Sequence, residues 1–199
     1  KITFPDGASK EFPKGTTALE IAQGISRGLA EEAVVAKVNG ILYDLTRPIE
    51  SDASLQLLKF DSPEGKSVFW HSAAHLVAQA VIRLHPGALN TIGPAIENGF
   101  YQDMAIRPLR PADLENIEAE VKKIVAANYP VTRLSLTPSE AKEEFKWNKY
   151  KLQIIEEEAK GKEITAYKQG EFTDLCRGPH TPNTGMLKAF KITKVSSAY

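Results

Sequence analysis

Two short pairs of residues in this 199-residue sequence carry side chains that bind metals or move protons. In the stretch HSAAHLVAQAVIRLHP, residues 71–86, His71 and His75 lie four positions apart in a run with the pattern of a helix. Far downstream, LCRGPH places Cys176, the only cysteine, four residues before His180. Imidazole and thiolate are zinc ligands, and imidazole is also the commonest general base. The two pairs therefore indicate a zinc site, a catalytic cleft, or a chance spacing.

The spacing of each pair is compatible with more than one role. On a helix, positions 71 and 75 lie one turn apart on the same face, so both rings can reach one ligand. Histidines that only fill a core or a surface show the same spacing. The Gly178-Pro179 kink is one way of turning Cys176 and His180 inward, which would complete a tetrahedral set of four zinc ligands.

The composition is that of an ordinary globular protein. Apolar residues make up 42% of the chain and charged residues 25%, with 25 basic side chains against 25 acidic ones. A nucleic-acid partner would therefore be held by local basic patches, because the chain has no net positive charge. A lone cysteine forms no internal disulfide, and no apolar run approaches the roughly 18 residues of a membrane span. We therefore expect a cytoplasmic protein without a membrane partner.

The first 60 residues have the pattern of a small mixed domain. KITFPDGASKEF is typical of two strands around a turn, and TTALEIAQGIS of a helix capped by Thr16 or Thr17. VVAKVNGILYDL indicates a hairpin around Asn39-Gly40, and SLQLLKF alternates like a strand. This order favours a β-grasp domain. DSPEGKS, residues 61–67, has the composition of a linker, so we predict domains at 1–61 and 62–199.

The second segment is richer in helix. We predict helices over 67–84 and 111–128, a third after the capping box that begins at Thr137, and a fourth in NKYKLQIIEEEAK. Strands are predicted in TIGPAIENGFYQDM, YPVTRLSL, ITAYKQGEFTDLC and MLKAFKITKVSS. The pattern indicates an α+β fold, with helices packed on a mainly antiparallel sheet.

Four separated motifs in this segment resemble the editing domain of bacterial threonyl-tRNA synthetases. They are HSAAH, IGPAIENGFYQDM, YKL at 150–152 and FTDLCRGPHTPN, in the order of that family, and residues 1–60 resemble the TGS domain that precedes it there. The resemblance covers essentially the whole chain. It implies that the aminoacylation core is absent, and with it the ATP, the zinc and the homodimer contacts of that core. We therefore expect a monomer.

The resemblance implies proofreading of a mischarged tRNA. A pocket built for threonine rejects serine poorly, because a missing methyl group is worth only about 1–3 kcal/mol of discrimination. A second site therefore hydrolyses Ser-tRNA(Thr) to serine and free tRNA. The motifs imply that the catalytic residues are His71, His75, Lys151, Cys176 and His180.

The resemblance also implies three substrate-binding residues, Asp174, Tyr101 and Gln102. A seryl ester carries a cationic amine and a hydroxyl, which Asp174 can bind, while its hydrolysis needs an activated water and a donor for the oxyanion. His71 suits the first of these roles and Lys151 the second. Without the resemblance, Lys151 has the pattern of a solvated helix lysine and Asp174 that of a turn residue. Gln102 departs from the family, in which many members have a second tyrosine.

Two other functions stay open. A zinc-dependent editing hydrolase of the alanyl type shares the HxxxH and CxxxH pairs, and its signature would be zinc at His71, His75, Cys176 and His180. The TGS-like front end and the GFYQDM context favour the threonyl type, for which we expect neither a metal nor another cofactor in editing. The second alternative is a non-enzymatic RNA-binding or regulatory module built on the TGS-like domain.

Overall fold

The computed structural model describes residues 1–158 and 163–197. The chain divides into two compact units, the first made of residues 1–69 and 178–182. The second comprises residues 70–177 and the described residues from 183 onward. The domain boundary predicted between residues 61 and 62 stays a prediction. No helix in the described ranges is long and apolar enough to span a bilayer.

The first unit is built on a mixed sheet of five strands. Its elements in chain order are β1 (Ile2–Thr3), β2 (Ser9–Lys10), α1 (Ala18–Ile25), α2 (Arg27–Glu32), β3 (Ala33–Val38), β4 (Ile41–Tyr43) and β5 (Ala53–Lys59). The strand order is β2-β1-β5-β3-β4, in which β1 runs parallel to β5 and the other pairs are antiparallel. The prediction of a β-grasp domain is confirmed.

Helix caps and turn residues determine where these elements begin and end. Thr17 caps α1 and exchanges hydrogen bonds with Glu20 in a capping box. Asn39 and Gly40 have φ angles of 50° and 78°, the left-handed pair that a two-residue hairpin needs, and they join β3 to β4. One apolar core lies between α1 and the sheet; its buried residues are Ile2, Ala18, Ile21, Ala33, Ala36, Leu45, Ile49, Ala53 and Leu55.

The longest helix begins inside the stretch predicted to be a linker. This helix, α3, spans Pro63–Leu84. Ser62 Oγ accepts a hydrogen bond from the Gly65 N–H at 3.0 Å, and Pro63 occupies the first turn, where its missing N–H costs nothing. A Cβ on Gly65 would lie 1.9 Å from the carbonyl oxygen of Lys59, so the helix start packs directly on the end of β5. The linker prediction for residues 61–67 is therefore wrong.

The second unit combines helices with short antiparallel sheets. After α3 its elements are β6 (Leu89–Asn90), β7 (Ala95–Ile96), β8 (Gly99–Phe100), β9 (Met104–Ala105), α4 (Pro111–Ala127), β10 (Thr132–Leu136), α5 (Pro138–Glu144), α6 (Lys149–Glu158), β11 (Ile164–Gln169) and β12 (Phe172–Leu175). Strands β10, β11 and β12 form an antiparallel sheet in that order, and β6 pairs with β9 and β7 with β8. The predicted α+β class is confirmed.

Two strand predictions in this unit differ from the structure. Residues 187–197 form no strand, because beyond the buried Leu187 most of their side chains face solvent and no neighbouring strand pairs with them. The stretch 91–104 yields only two-residue strands, since Pro94 cannot donate to a ladder and Gly99 adopts a φ of 156°. The last two residues of the predicted helix NKYKLQIIEEEAK lie outside the described ranges.

One apolar contact surface positions helix α6. Ile155 of α6 and Phe145, just after α5, are both buried against Ile164 and Ala166 of β11. Lys151 precedes Ile155 by one helical turn and therefore lies on the same inward face. The core that docks α6 thus carries a lysine into the interior.

We predict that Gly65→Ala lowers the free energy of unfolding by about 1–3 kcal/mol, because the new methyl group clashes with the backbone of Lys59, which is held in a strand. Gly24→Ala is the matched control, since a Cβ there meets nothing within 4 Å. It is expected to be neutral, or stabilising by up to about 1 kcal/mol through helix propensity. Urea unfolding of both variants checks this, and equal stabilities would contradict the close approach of α3 and β5.

Candidate active site

A cluster of ionisable side chains is enclosed in the second unit. His71 and His75 come from α3, Lys151 from α6, Asp174 from β12, and Cys176 from the chain just after β12. His75, Lys151 and Asp174 are each only 4% exposed, whereas His71 and Cys176 are half-buried. Lysine and aspartate are almost never buried unless they are paired. The cluster therefore has a charged, closed interior and a more accessible side formed by His71 and Cys176.

Asp174 is the centre of the closed interior. Its Oδ1 lies 2.9 Å from Lys151 Nζ, and its Oδ2 lies 3.3 Å from His75 Nε2. The contact with Lys151 is a buried ion pair. The Lys151 ammonium also donates a hydrogen bond of 2.7 Å to the Thr91 carbonyl oxygen. One cation and one anion thus lie side by side, almost fully buried from solvent.

Burial sets the protonation of the two imidazoles. It lowers the pKa of His75 well below its ordinary value, and the neighbouring His71 and Lys151 lower it further. Burial also lowers the pKa of His71, although a hydrogen bond to the Gly93 backbone and the charge of Asp174 oppose the shift. Both rings are therefore neutral at pH 7. A neutral imidazole with an accessible edge is the form that a general base requires.

The pKa of Asp174 shifts in the opposite direction, also because of burial. Burial raises the pKa of this carboxyl group, while the charge of Lys151 acts against the shift. The ion pair with Lys151 keeps the carboxylate in place. The cluster thus combines a buried lysine–aspartate ion pair with two imidazoles whose pKa values are lowered.

Asn148 positions the lysine from the start of its helix. Its Oδ1 accepts hydrogen bonds from the backbone N–H groups of Tyr150 and Lys151, at 3.1 and 3.4 Å, and so caps α6. Its Nδ2 donates to the Asn90 carbonyl oxygen at 2.8 Å. Since the next residue, Thr91, accepts from Lys151 Nζ, one strand end holds both the helix start and the tip of the lysine.

His71 and Cys176 form the accessible pair. His71 Nε2 lies 2.9 Å from Cys176 Sγ, and the backbone N–H of Cys176 donates to the Thr165 carbonyl oxygen at 3.1 Å, which fixes the chain after β12. The candidate ligand atoms of His71, His75 and Cys176 all lie within 4.8 Å of one another. Their spacing permits a metal, but His75 already pairs with Asp174, and a lysine ammonium inside the cluster opposes a second cation.

The remaining predicted residues are His180, Tyr101 and Gln102. His180, the fourth side chain of the predicted zinc set, belongs to the segment 178–182 of the first unit, where it is buried and its N–H donates to Asp44 Oδ1 at 2.9 Å. Tyr101 is 44% exposed. The Gln102 amide donates to the carbonyl oxygens of Ile92 and Asp103, both at 3.0 Å.

Sequence reasoning missed Asn148 and the backbone of residues 90–93. Asn148 had a usable signal, because an asparagine directly before a helical stretch is a preferred N-cap. The carbonyl groups of Asn90 and Thr91 had none, since every residue carries a carbonyl group. Their role follows only from the fold.

Comparison with known families defines the class of both parts of the chain. Residues 1–59 match the TGS domain, and residues 164–198 match the family described as threonyl and alanyl tRNA synthetase second additional domain. The chain therefore carries the pair of domains that its motifs predicted.

Three relatives narrow this class. The chain is 49% identical over 203 residues to the threonine--tRNA ligase of Parabacteroides distasonis, 48% over 202 residues to that of Desulforamulus reducens, and 47% over 201 residues to that of Symbiobacterium thermophilum. Each match covers 100% of this chain and 31%, 32% and 31% of the respective relative. The chain thus spans about a third of the length of these relatives. The resemblance to the N-terminal region of bacterial threonyl-tRNA synthetase is confirmed.

We predict that stability falls as the pH is lowered from about 7.5 to 5.5. The pKa values of His71 and His75 are lower in the folded chain than in the unfolded chain, so the unfolded state binds more protons in this range. Each ring contributes at most about 1.4 kcal/mol per pH unit below its unfolded pKa of about 6.5. The raised pKa of Asp174 acts in the opposite direction, from its unfolded pKa of about 3.9 up to its higher pKa in the folded chain.

Urea unfolding at several pH values measures this dependence. His75→Gln removes one titrating ring, and the slope between pH 7.5 and 5.5 should become shallower. A slope that His75→Gln leaves unchanged would show that His75 is not kept neutral by the fold.

Proposed function

We propose that this chain is the editing part of a threonyl-tRNA synthetase and hydrolyses Ser-tRNA(Thr) to serine and free tRNA. The observation that carries the proposal is the cluster itself: a neutral, partly buried imidazole beside a buried, paired ammonium. The match to the second additional domain of threonyl and alanyl tRNA synthetases and the three threonine--tRNA ligases support it. A ligase that selects threonine needs such a step, because its pocket rejects serine poorly.

The residues suggest a simple hydrolysis. His71 takes a proton from a water molecule whose oxygen forms a bond to the ester carbonyl carbon. The Lys151 ammonium stabilises the developing oxyanion with a fixed positive charge. It has three N–H donors, and the Thr91 carbonyl and Asp174 occupy only part of them. The ester C–O bond then breaks, and the imidazolium returns the proton to the ribose oxygen. Serine leaves as the free acid.

Two of the other predicted catalytic residues, His75 and Cys176, take supporting roles in this proposal. His75 holds the carboxylate of Asp174, and Cys176 contacts the ring of His71 and limits its orientation. His180 stays a prediction as a catalytic residue. Asp174 and Tyr101 stay predictions as contacts of the seryl group, and the greater exposure of Tyr101 suits that role better.

The partner in this proposal is tRNA(Thr) mischarged with serine, in the cytoplasm. Editing requires no cofactor, since the water, the base and the electrostatic partner suffice. The resemblance to this family implies that ATP and a zinc ion serve the aminoacylation core and not editing. We expect this chain to act as a monomer.

Deacylation of seryl-tRNA(Thr) and threonyl-tRNA(Thr), measured side by side with this chain, tests the proposal. The seryl ester should be hydrolysed and the threonyl ester spared, because the extra methyl group of threonine either clashes with the pocket or displaces the water. Equal hydrolysis of both esters would contradict editing. Binding of the tRNA without any turnover would favour the non-enzymatic RNA-binding alternative.

We predict that His71→Ala lowers the rate of seryl-tRNA hydrolysis by about 10²-fold or more, the usual effect of losing a general base. Lys151→Arg keeps a positive charge beside Asp174 but replaces the compact ammonium with a larger, planar guanidinium in a different position. We therefore expect the hydrolysis rate to fall by at least about tenfold. His85→Ala, just after α3, and Lys149→Met, on α6, are matched controls outside the cluster, and they should retain wild-type rates. Near wild-type turnover of His71→Ala or of Lys151→Arg would remove that residue from the mechanism.

We predict that the chain binds no zinc tightly. The ammonium of Lys151 and the pairing of His75 with Asp174 disfavour a divalent cation among His71, His75 and Cys176. Elemental analysis after purification without chelator, and hydrolysis rates with and without a chelator, provide the test. One zinc per chain, with activity lost on chelation and restored by zinc, would establish the alanyl-type alternative.

A further inference from the structure

Gln102 lies where the chain returns from the β7–β8 hairpin toward β9. Its side-chain amide donates two hydrogen bonds of 3.0 Å, one to the carbonyl oxygen of Ile92 and one to that of Asp103. The first bond reaches across to the neighbouring chain segment, and the second returns to the backbone of the next residue. The amide therefore bridges two backbone segments.

The segment that Gln102 holds is the one that contacts the cluster. Thr91 accepts the hydrogen bond from Lys151 Nζ at 2.7 Å, and the backbone of Gly93 forms a hydrogen bond with the ring of His71. Ile92, the partner of Gln102, lies between these two residues. A shift of this backbone would therefore move the supports of both the lysine and the histidine.

The backbone pairing at this point is irregular. The N–H of Thr91 donates to the Asp103 carbonyl oxygen at 3.0 Å, and the N–H of Asp103 donates to the Ile92 carbonyl oxygen at 2.8 Å. Two residues of one segment thus face a single residue of the other, beyond the regular β6–β9 pairs. The Gln102 amide donates to the same two carbonyl oxygens and reinforces the pairing where the ladder is weakest.

Gln102 also restrains this segment by close packing. A Cβ on Gly93 would lie 2.2 Å from Gln102 Oε1 and 3.0 Å from the Cβ of Ala74, which stands on α3 between the two histidines. Gly93 is thus enclosed between the glutamine and the helix that carries His71. Gln102 Oε1 is buried and accepts no hydrogen bond from the described residues, so the side chain contributes through its N–H groups and its shape.

We propose that Gln102 is a positioning residue for the hydrolysis, and that its amide fixes the backbone of residues 91–93 so that Thr91 and Gly93 hold Lys151 and His71 toward the same ester. This inference rests on the proposed editing function. Gln102 acts through the backbone and touches neither the ester nor the attacking water. At this position glutamine therefore has a task that a phenol, with its single hydroxyl donor, would not perform in the same way.

Two variants separate the hydrogen bonds from the packing. Gln102→Met keeps the length of the side chain but removes both donors, and Gln102→Glu keeps the shape but turns a carboxylate toward two carbonyl oxygens. Gln153→Met is the matched control, because Gln153 is an exposed glutamine of α6 whose amide pairs with Glu157 alone at 3.0 Å.

The kinetic test is the hydrolysis of seryl-tRNA(Thr) by the full chain. We expect kcat to fall about 10- to 100-fold in Gln102→Met and further in Gln102→Glu, with KM changed less than about threefold, because misplaced groups lose rate rather than binding. Gln153→Met should keep both constants. An unchanged kcat in Gln102→Met overturns the positioning role, and so does a rise in KM alone, which would assign a substrate contact instead.

Amide hydrogen exchange tests the same inference without the reaction. The amides of Thr91 and Asp103 should exchange at least about tenfold faster in Gln102→Met than in the wild type, while the amide of Ala166 in β11 keeps its rate. Equal exchange at Thr91 and Asp103 overturns the inference. If the wild type hydrolyses no ester, the proposed function fails on its own, and the exchange rates still show whether Gln102 fixes this backbone.

Discussion

The ion pair between Lys151 and Asp174 is the constraint on which the rest of the second unit depends. The charged atoms lie 2.9 Å apart, and both side chains are almost fully buried. An unpaired charge in such a place costs several kcal/mol, so neither residue is tolerated there without the other. Because Lys151 comes from α6 and Asp174 from β12, the helix and the sheet have to dock in one register. The apolar contacts of Ile155 stabilise the docking of the helix, and the ion pair specifies its register.

The charge of this pair also determines what its neighbours can do. Burial lowers the pKa of both imidazoles and the Lys151 ammonium lowers it further, so His75 and His71 stay neutral beside it. The same ammonium needs more acceptors than one carboxylate supplies, and the Thr91 carbonyl provides one. A structural requirement, the satisfaction of a buried cation, thereby places a neutral base and a fixed positive charge in one cluster. Those are the groups that an ester hydrolase needs.

Local signals in the sequence predicted local structure well. The helix cap at Thr16 or Thr17 and the Asn39-Gly40 hairpin were both predicted because their chemistry lies within four residues, and the structure places the cap at Thr17. The start of α3 was missed, since Ser, Pro and Gly have the composition of a linker whether or not Gly65 packs on a strand. The burial of Lys151 could not be read from its charged surroundings, because its partner lies 23 residues away on another element. Only the order of the family motifs pointed to it.

A double-mutant cycle on the ion pair tests this account most directly. The free energies of unfolding of Lys151→Met, Asp174→Asn and the double variant, compared with the wild type by urea unfolding, give the coupling between the two side chains. A coupling of at least about 2 kcal/mol is predicted, because each single variant leaves a buried polar group without its partner and the double variant removes that penalty. Additive effects, within about 0.5 kcal/mol, would show that the two charges do not depend on each other and would contradict the account.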